Sequence, residues 1–184
     1  MEVNRIIREA RPTDMTDIMK VMDAAKKIMR QSGNMLQWGE GYPSEVVITN
    51  DMEKQGGYVI EDAGRIIGYF AFLPSAEPTY SKIYNGEWLD YVKPYHVIHR
   101  IASYPDVHGI FKDIMEFCFS HDANIRIDTH KDNRIMQHNI EKHGFTYCGI
   151  IYLANGDKRM AYQKITSLPS TSRRPINSRR VSAQ

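Results

Sequence analysis

Hydrophobic positions recur along this chain at two spacings, and the switches between them mark out its elements. Residues 3–10 (VNRIIREA) read as a strand that Pro12 ends. Across residues 14–32, Ile18, Val21, Met22, Ala25, Ile28 and Met29 fall at helical spacing and form one apolar face, with Thr13 or Asp14 as the cap. The methionines of that face are read as core. GNMLQWGEGYPS, residues 33–44, is a loop by its glycines and proline. Ser44 opens a second helix over about 44–55, with Glu45 and Asp51 expected on its wet side. Gly56-Gly57 leads into YVIED, and Ala63-Gly64 turns tightly into RIIGYFAFL, so residues 57–73 form a hairpin. Residues 74–93 are irregular and rich in Pro, Tyr and Trp, which predicts a long packed loop with a short helical turn.

The second half is clearer. Residues 95–103 (YHVIHRIAS) form a strand that Tyr104-Pro105-Asp106 breaks. A helix follows at about 109–121, with Ile110, Ile114, Phe117 and Cys118 inward. Residues 124–129 (NIRIDT) alternate as a strand, and Asp132 is placed to cap a helix over 133–143 that Gly144 stops. Residues 145–154 and 158–165 are strands joined by an Asn-Gly hairpin signal. The order β-α-α-β-β-β-α-β-α-β-β predicts one α/β domain, with strands 95–103 and 124–129 as parallel neighbours across the helix between them.

Composition narrows the class. Of 184 residues, 42% are hydrophobic and 25% charged, which suits a folded globular chain. No apolar run is long enough for a membrane-spanning helix, so no membrane partner is expected. The start is charged and lacks a secretion signal's apolar core. The two cysteines, Cys118 and Cys148, are read as unpaired thiols of a reducing cytosol, and the chain as cytoplasmic. The net charge is +2, but residues 166–184 hold Arg173, Arg174, Arg179 and Arg180 and no acid. Removing those four charges leaves about −2 for residues 1–165, so no nucleic-acid footprint is expected there. The Ser/Pro/Arg tail is read as disordered, and residues 1–165 as the domain.

The segment HRIAS-YPDVH-G-IFKDIMEFC carries the first chemical signal: strand, break, glycine, helix. A helix opens with unpaired backbone N–H groups and the positive end of its dipole, which together attract an anion. Gly109 lets a phosphate approach without a Cβ in the way; easing a tight turn would equally account for it. His99 follows by simple alternation on the face of Ile101 and Ser103, and imidazole titrates near ~6.5, so His99 is the candidate base, with His130 next. A hydrogen-bonded sheet histidine would also explain either. Trp38 and Tyr42 could wall a ligand site in which Glu40 holds a cationic group, or Trp38 could plug the core under its loop. No histidine shows metal-ligand spacing, and no metal is expected.

That segment and RIDTHKDNRIMQHNIEKHGFTYCGI resemble the GNAT superfamily of acyl-coenzyme A N-acyltransferases, and the order of elements over residues 3–165 is similar throughout. Asn133, eleven residues before Gly144-Phe145 with Glu141-Lys142 close ahead of that pair, is the more specific sign. The resemblance implies a single GNAT-like domain: a mixed central sheet of about six or seven strands with helices on both faces. It implies acetyl-coenzyme A as co-substrate, lying between strands 95–103 and 124–129. The backbone of Ile101, Ala102 and Ser103 would pair with pantetheine. The N–H groups of Val107, His108, Gly109, Ile110, Phe111 and Lys112 would hold the pyrophosphate. Asn133 and Met136 would flank the pantetheine arm. A small-molecule or peptide amine would attack the thioester directly.

Two positions depart from the family pattern. Of its phosphate loop, Gln/Arg-x-x-Gly-x-Gly/Ala, only Gly109 remains in DVHGIF, with Asp106 near the phosphate and Phe111 in a small-residue position. The tyrosine that often protonates the leaving thiolate is Ile140. These departures favour the alternative of a GNAT-like protein that binds coenzyme A or another ligand without catalysis. A tail-driven interaction module is a third reading, and a homodimer through the C-terminal hairpin a further expectation.

Overall fold

The computed structural model describes residues 5–167. Seven strands form one mixed sheet: β1 (Arg5–Glu9), β2 (Gly57–Asp62), β3 (Arg65–Pro74), β4 (His96–Ser103), β5 (Asn124–Thr129), β6 (Thr146–Tyr152) and β7 (Lys158–Ile165). Their order across the sheet is β1-β2-β3-β4-β5-β7-β6. Four helices complete the domain: α1 (Met15–Gln31), α2 (Glu45–Glu53), α3 (Ile110–His121) and α4 (Arg134–Lys142). The tail beyond residue 167, with its four arginines and the interaction they suggested, lies outside the described residues.

Helices cover both faces. On one, Ile18, Val21, Met22 and Ala25 of α1 pack with Ile48 of α2 against Val59, Ile66 and Tyr69. On the other, Ile114 and Cys118 of α3 and Ile140 of α4 pack against Ile60, Phe70, Ile98 and Ile127. Both cysteines are free and buried, and burial pushes both thiols up. Irregular residues 75–95 lie over the β5–β7 side, where Tyr80 and Trp88 pack with Val97, Cys148 and Ile151. Tyr84 exchanges two 2.8 Å backbone hydrogen bonds with Ile150 of β6, and a Cβ at Gly86 would lie 2.0 Å from the Cys148 carbonyl oxygen, so this crossing demands glycine. Among the described residues no helix is long and apolar enough to cross a membrane.

Two local expectations need correcting. Asp51 is not on a wet face: it is 3% exposed and bonded to Tyr69 and Arg100, because its ion-pair partner reaches it from β4. Asn133, rather than Asp132, caps α4, its Oδ1 accepting from Met136 N–H at 3.1 Å.

The feature that positions a site is the single parallel pair of the sheet. β4 and β5 are paired only through His96–Ile125, Val97–Arg126 and Ile98–Ile127. Beyond Ile98, β4 stays with β3 up to Ser103, while β5 stays with β7 up to Thr129. The sheet therefore splits, and among the described residues the β4 edge facing the split has no strand partner.

Candidate active site

A bulge in β4 sits at the start of the split. Register with β3 passes from Tyr69–Ala102 to Ala71–His99, so β4 carries an extra residue, and Arg100 takes a left-handed φ of 55°. Simple alternation therefore fails. His99 and Arg100 both lie on the α1/α2 face, reaching Glu77 and Asp51, whereas Ile101 packs with the α3/α4 core. His99 does not share the face of Ile101 and Ser103.

Two clefts open on the split. The first, about 690 Å³, runs along the free edge of β4 to the start of α3. It is lined by Ile101, Ala102, Ser103, Val107, His108, Gly109, Ile110, Phe111, Lys112, Asn133 and Met136, so all the cofactor positions expected from sequence meet in one place. Gly109 precedes α3 with φ 82°, a backbone state that side chains with a Cβ rarely adopt. Among the described residues no acid lines this cleft, while His108, Lys112, Lys142 and His143 do. Asp106 is exposed and absent from the lining. Phe111 does not close the cleft, because its ring turns into the core and stacks at a tilt 4.9 Å from His143.

The second cleft, about 340 Å³, holds His99, Arg100, Glu77, Asp128, Asp51 and Arg159, with Trp38 and Tyr42 as aromatic wall. Trp38 is both wall and core plug, at 7% exposure. Glu40 is exposed and does not line the cleft; its glycine-flanked loop carries it outward, and the cleft's acids come from α2, β5 and the segment after β3. His130 lines neither cleft. Burial and the nearby Arg159 charge push it down, and its Nδ1 accepts from Asp132 N–H. The two clefts meet at Met29, Ile101, Asn133 and Met136.

Polar contacts fix this second cleft. Asp51 accepts from Tyr69 O–H at 2.9 Å and from Arg100 Nε at 2.7 Å, and Arg100 Nη1 donates to Tyr42 Oη at 3.2 Å. Gln37 ties the 33–44 loop across the junction: its Oε1 accepts from Asn133 Nδ2 at 2.8 Å and Asn34 Nδ2 at 3.0 Å. Burial opposes charge on Glu77, but His99 and the Thr79 hydrogen bonds outweigh it and hold the carboxyl down at about 2. Ile140, where a tyrosine would serve as acid, is fully buried in the core. Among the described residues, no group of three or more His, Cys, Asp or Glu could hold a metal ion.

A GNAT-family acetyltransferase from Streptococcus agalactiae is 32% identical to this chain, over 89% of this chain and 96% of that one, with a TM-score of 0.80. The chain belongs to the GNAT family. A GNAT-family acetyltransferase from Listeria monocytogenes, at 22% identity over 89% and 96% of the two chains and a TM-score of 0.66, shares the fold. So does the ribosomal-protein-S18-alanine N-acetyltransferase of Escherichia coli, at 11% identity, 92% and 98% coverage and a TM-score of 0.59. No protein-family model matches the sequence, and no curated protein does.

Sequence reading gave no site role to Glu77, Asp51, Arg100, Gln37, Arg159 or Asp128. None had a spacing signal. They converge through a bulge and two irregular segments, which leave no periodic trace.

Proposed function

We propose that this GNAT protein transfers an acetyl group from acetyl-coenzyme A to a primary amine by direct attack. The observation that carries the reading is the junction of the two clefts at the split between β4 and β5. An extended ligand has an unpaired strand edge to pair with, and a diphosphate has an acid-free wall with four basic side chains and a helix N-terminus. The thioester of such a ligand falls where Ile101, Asn133 and Met136 border the amine side.

The second cleft supplies what the amine needs. Glu77 and Asp128 attract its ammonium, and His99 between them takes a proton from it. The neutral nitrogen forms the C–N bond to the carbonyl carbon, a backbone N–H of β4 stabilises the oxyanion, and the C–S bond breaks. With Ile140 in the acid's place, the thiolate leaves unassisted and takes a proton from the nitrogen or from water, tolerable for a group of pKa ~8.5. Holding the two reactants aligned does most of the work.

The test is release of free thiol from acetyl-coenzyme A in the presence of a panel of primary amines. Acetyl transfer should be detected, and His99→Ala should lower kcat about a hundredfold with the KM for acetyl-coenzyme A unchanged. Binding without turnover of any amine would leave the reading favoured by the buried Ile140, a ligand-binding protein of this fold.

A further inference from the structure

His99 has two ring nitrogens, and a carboxylate stands in front of each. Nε2 lies 3.3 Å from Glu77 Oε2, within hydrogen-bond reach. Nδ1 lies 3.8 Å from Asp128 Oδ1, too far for a direct bond. Glu77 is held from behind, its Oε1 accepting from Thr79 N–H at 3.3 Å and from Thr79 Oγ1 at 2.9 Å. Oε2 is thereby aimed at the imidazole. Asp128 Oδ1 accepts from the buried Tyr80 hydroxyl at 2.5 Å, and among the described residues its Oδ2 has only Arg159 Nε, at 3.9 Å. Arg100, next along β4, is engaged by Asp51.

A neutral imidazole carries one N–H, and here only Nε2 has an acceptor within reach. We propose that Glu77 is a positioning residue that fixes His99 as the Nε2–H tautomer, so that Nδ1 is the base and the gap between Nδ1 and Asp128 seats the acceptor's ammonium. This rests on the reading of His99 as base. The ammonium donates one N–H to Nδ1 and one to Asp128. Its proton passes to Nδ1, the nitrogen lone pair left behind forms the C–N bond, and the C–S bond then breaks as the oxyanion collapses. A second proton leaves nitrogen for the thiolate. The imidazolium then directs both N–H groups at carboxylates, Glu77 and Asp128, before it returns its proton to solvent. A carboxylate that orients the base in this way is the logic of a hydrolase triad, reached here through an irregular loop. The low titration of Glu77 keeps it an acceptor throughout the working pH range.

The test combines ¹⁵N spectra of the histidine side chains, recorded above neutrality, with steady-state kinetics of the full chain. In the wild type, Nε2 of His99 should carry the proton and Nδ1 should be bare. Glu77→Gln should mix the tautomers and lower kcat more than tenfold, with the KM for acetyl-coenzyme A unchanged. Thr79→Val, which removes one support of Glu77 and keeps the fold, should move both readouts the same way by less. Asp128→Asn should raise the KM for the amine and leave the tautomer alone. A proton on Nδ1 in the wild type, or wild-type kcat in Glu77→Gln, would overturn the assignment. Failure to acetylate any amine would instead remove the base reading, while the spectra would still decide whether Glu77 holds the ring.

Discussion

Asp51→Asn tests how the bulge is held. Asp51 is 3% exposed and takes hydrogen bonds from Tyr69 and from two nitrogens of Arg100, whose side chain is 11% exposed. Asparagine keeps the shape but removes the charge, and its amide N–H groups meet a guanidinium that also only donates. A buried cation is left uncompensated, which costs about 3–5 kcal/mol. That is a large share of the roughly 5–15 kcal/mol that holds a domain together. At about 2–4 °C per kcal/mol for a chain of this size, the melting temperature should fall by roughly 10 °C. Replacing both partners, Asp51→Leu with Arg100→Met, should recover much of the loss, because no charge then remains buried. Urea unfolding of the single variant, the double variant and the wild type measures this directly. A single-variant loss below about 1 kcal/mol, or a double variant no better than Asp51→Asn, would refute the claim that this pair is desolvated.

Two further outcomes follow from the same contacts. Because Glu77 is held down at about 2, the folded protein binds that proton later than the unfolded chain; the stabilisation is full above pH ~5 and is lost as pH falls toward 2. It amounts to ~3 kcal/mol, so urea midpoints should fall less steeply across this range in Glu77→Gln, and parallel profiles would contradict the assignment. Gly109→Val places a β-branched residue at φ 82°, which should cost about 1–2 kcal/mol of stability and weaken coenzyme A binding about tenfold; calorimetry of the variant checks both.

Most of the fold was legible because it is periodic. The helices and strands fall within one or two residues of the boundaries that alternation, caps and glycines suggest, down to Gly144 after α4; residues 3 and 4 of the first expected strand lie outside the described residues. That residues 101–112 line one cleft was legible for the same reason, since strand, turn and helix follow each other locally; that Asp106 stays out of its wall was not. The amine side was not. One extra residue in β4 turned His99 away from Ile101, and alternation contains no term for a bulge. Glu77 lies in a segment without periodicity, and Asp51 looked like an ordinary surface acid because its partner Arg100 is 49 residues away. Glu40, by contrast, had the right chemistry in the right loop but points outward.

The claim on which the rest depends is that the wedge where β4 leaves β5 grips coenzyme A. Titration calorimetry with coenzyme A, at low and high salt, addresses it most directly. The prediction is one molecule per chain, displaced by adenosine diphosphate and weakened by salt, since an acid-free basic wall reads the phosphates. No binding, or binding that Gly109→Val leaves at full strength, would contradict it.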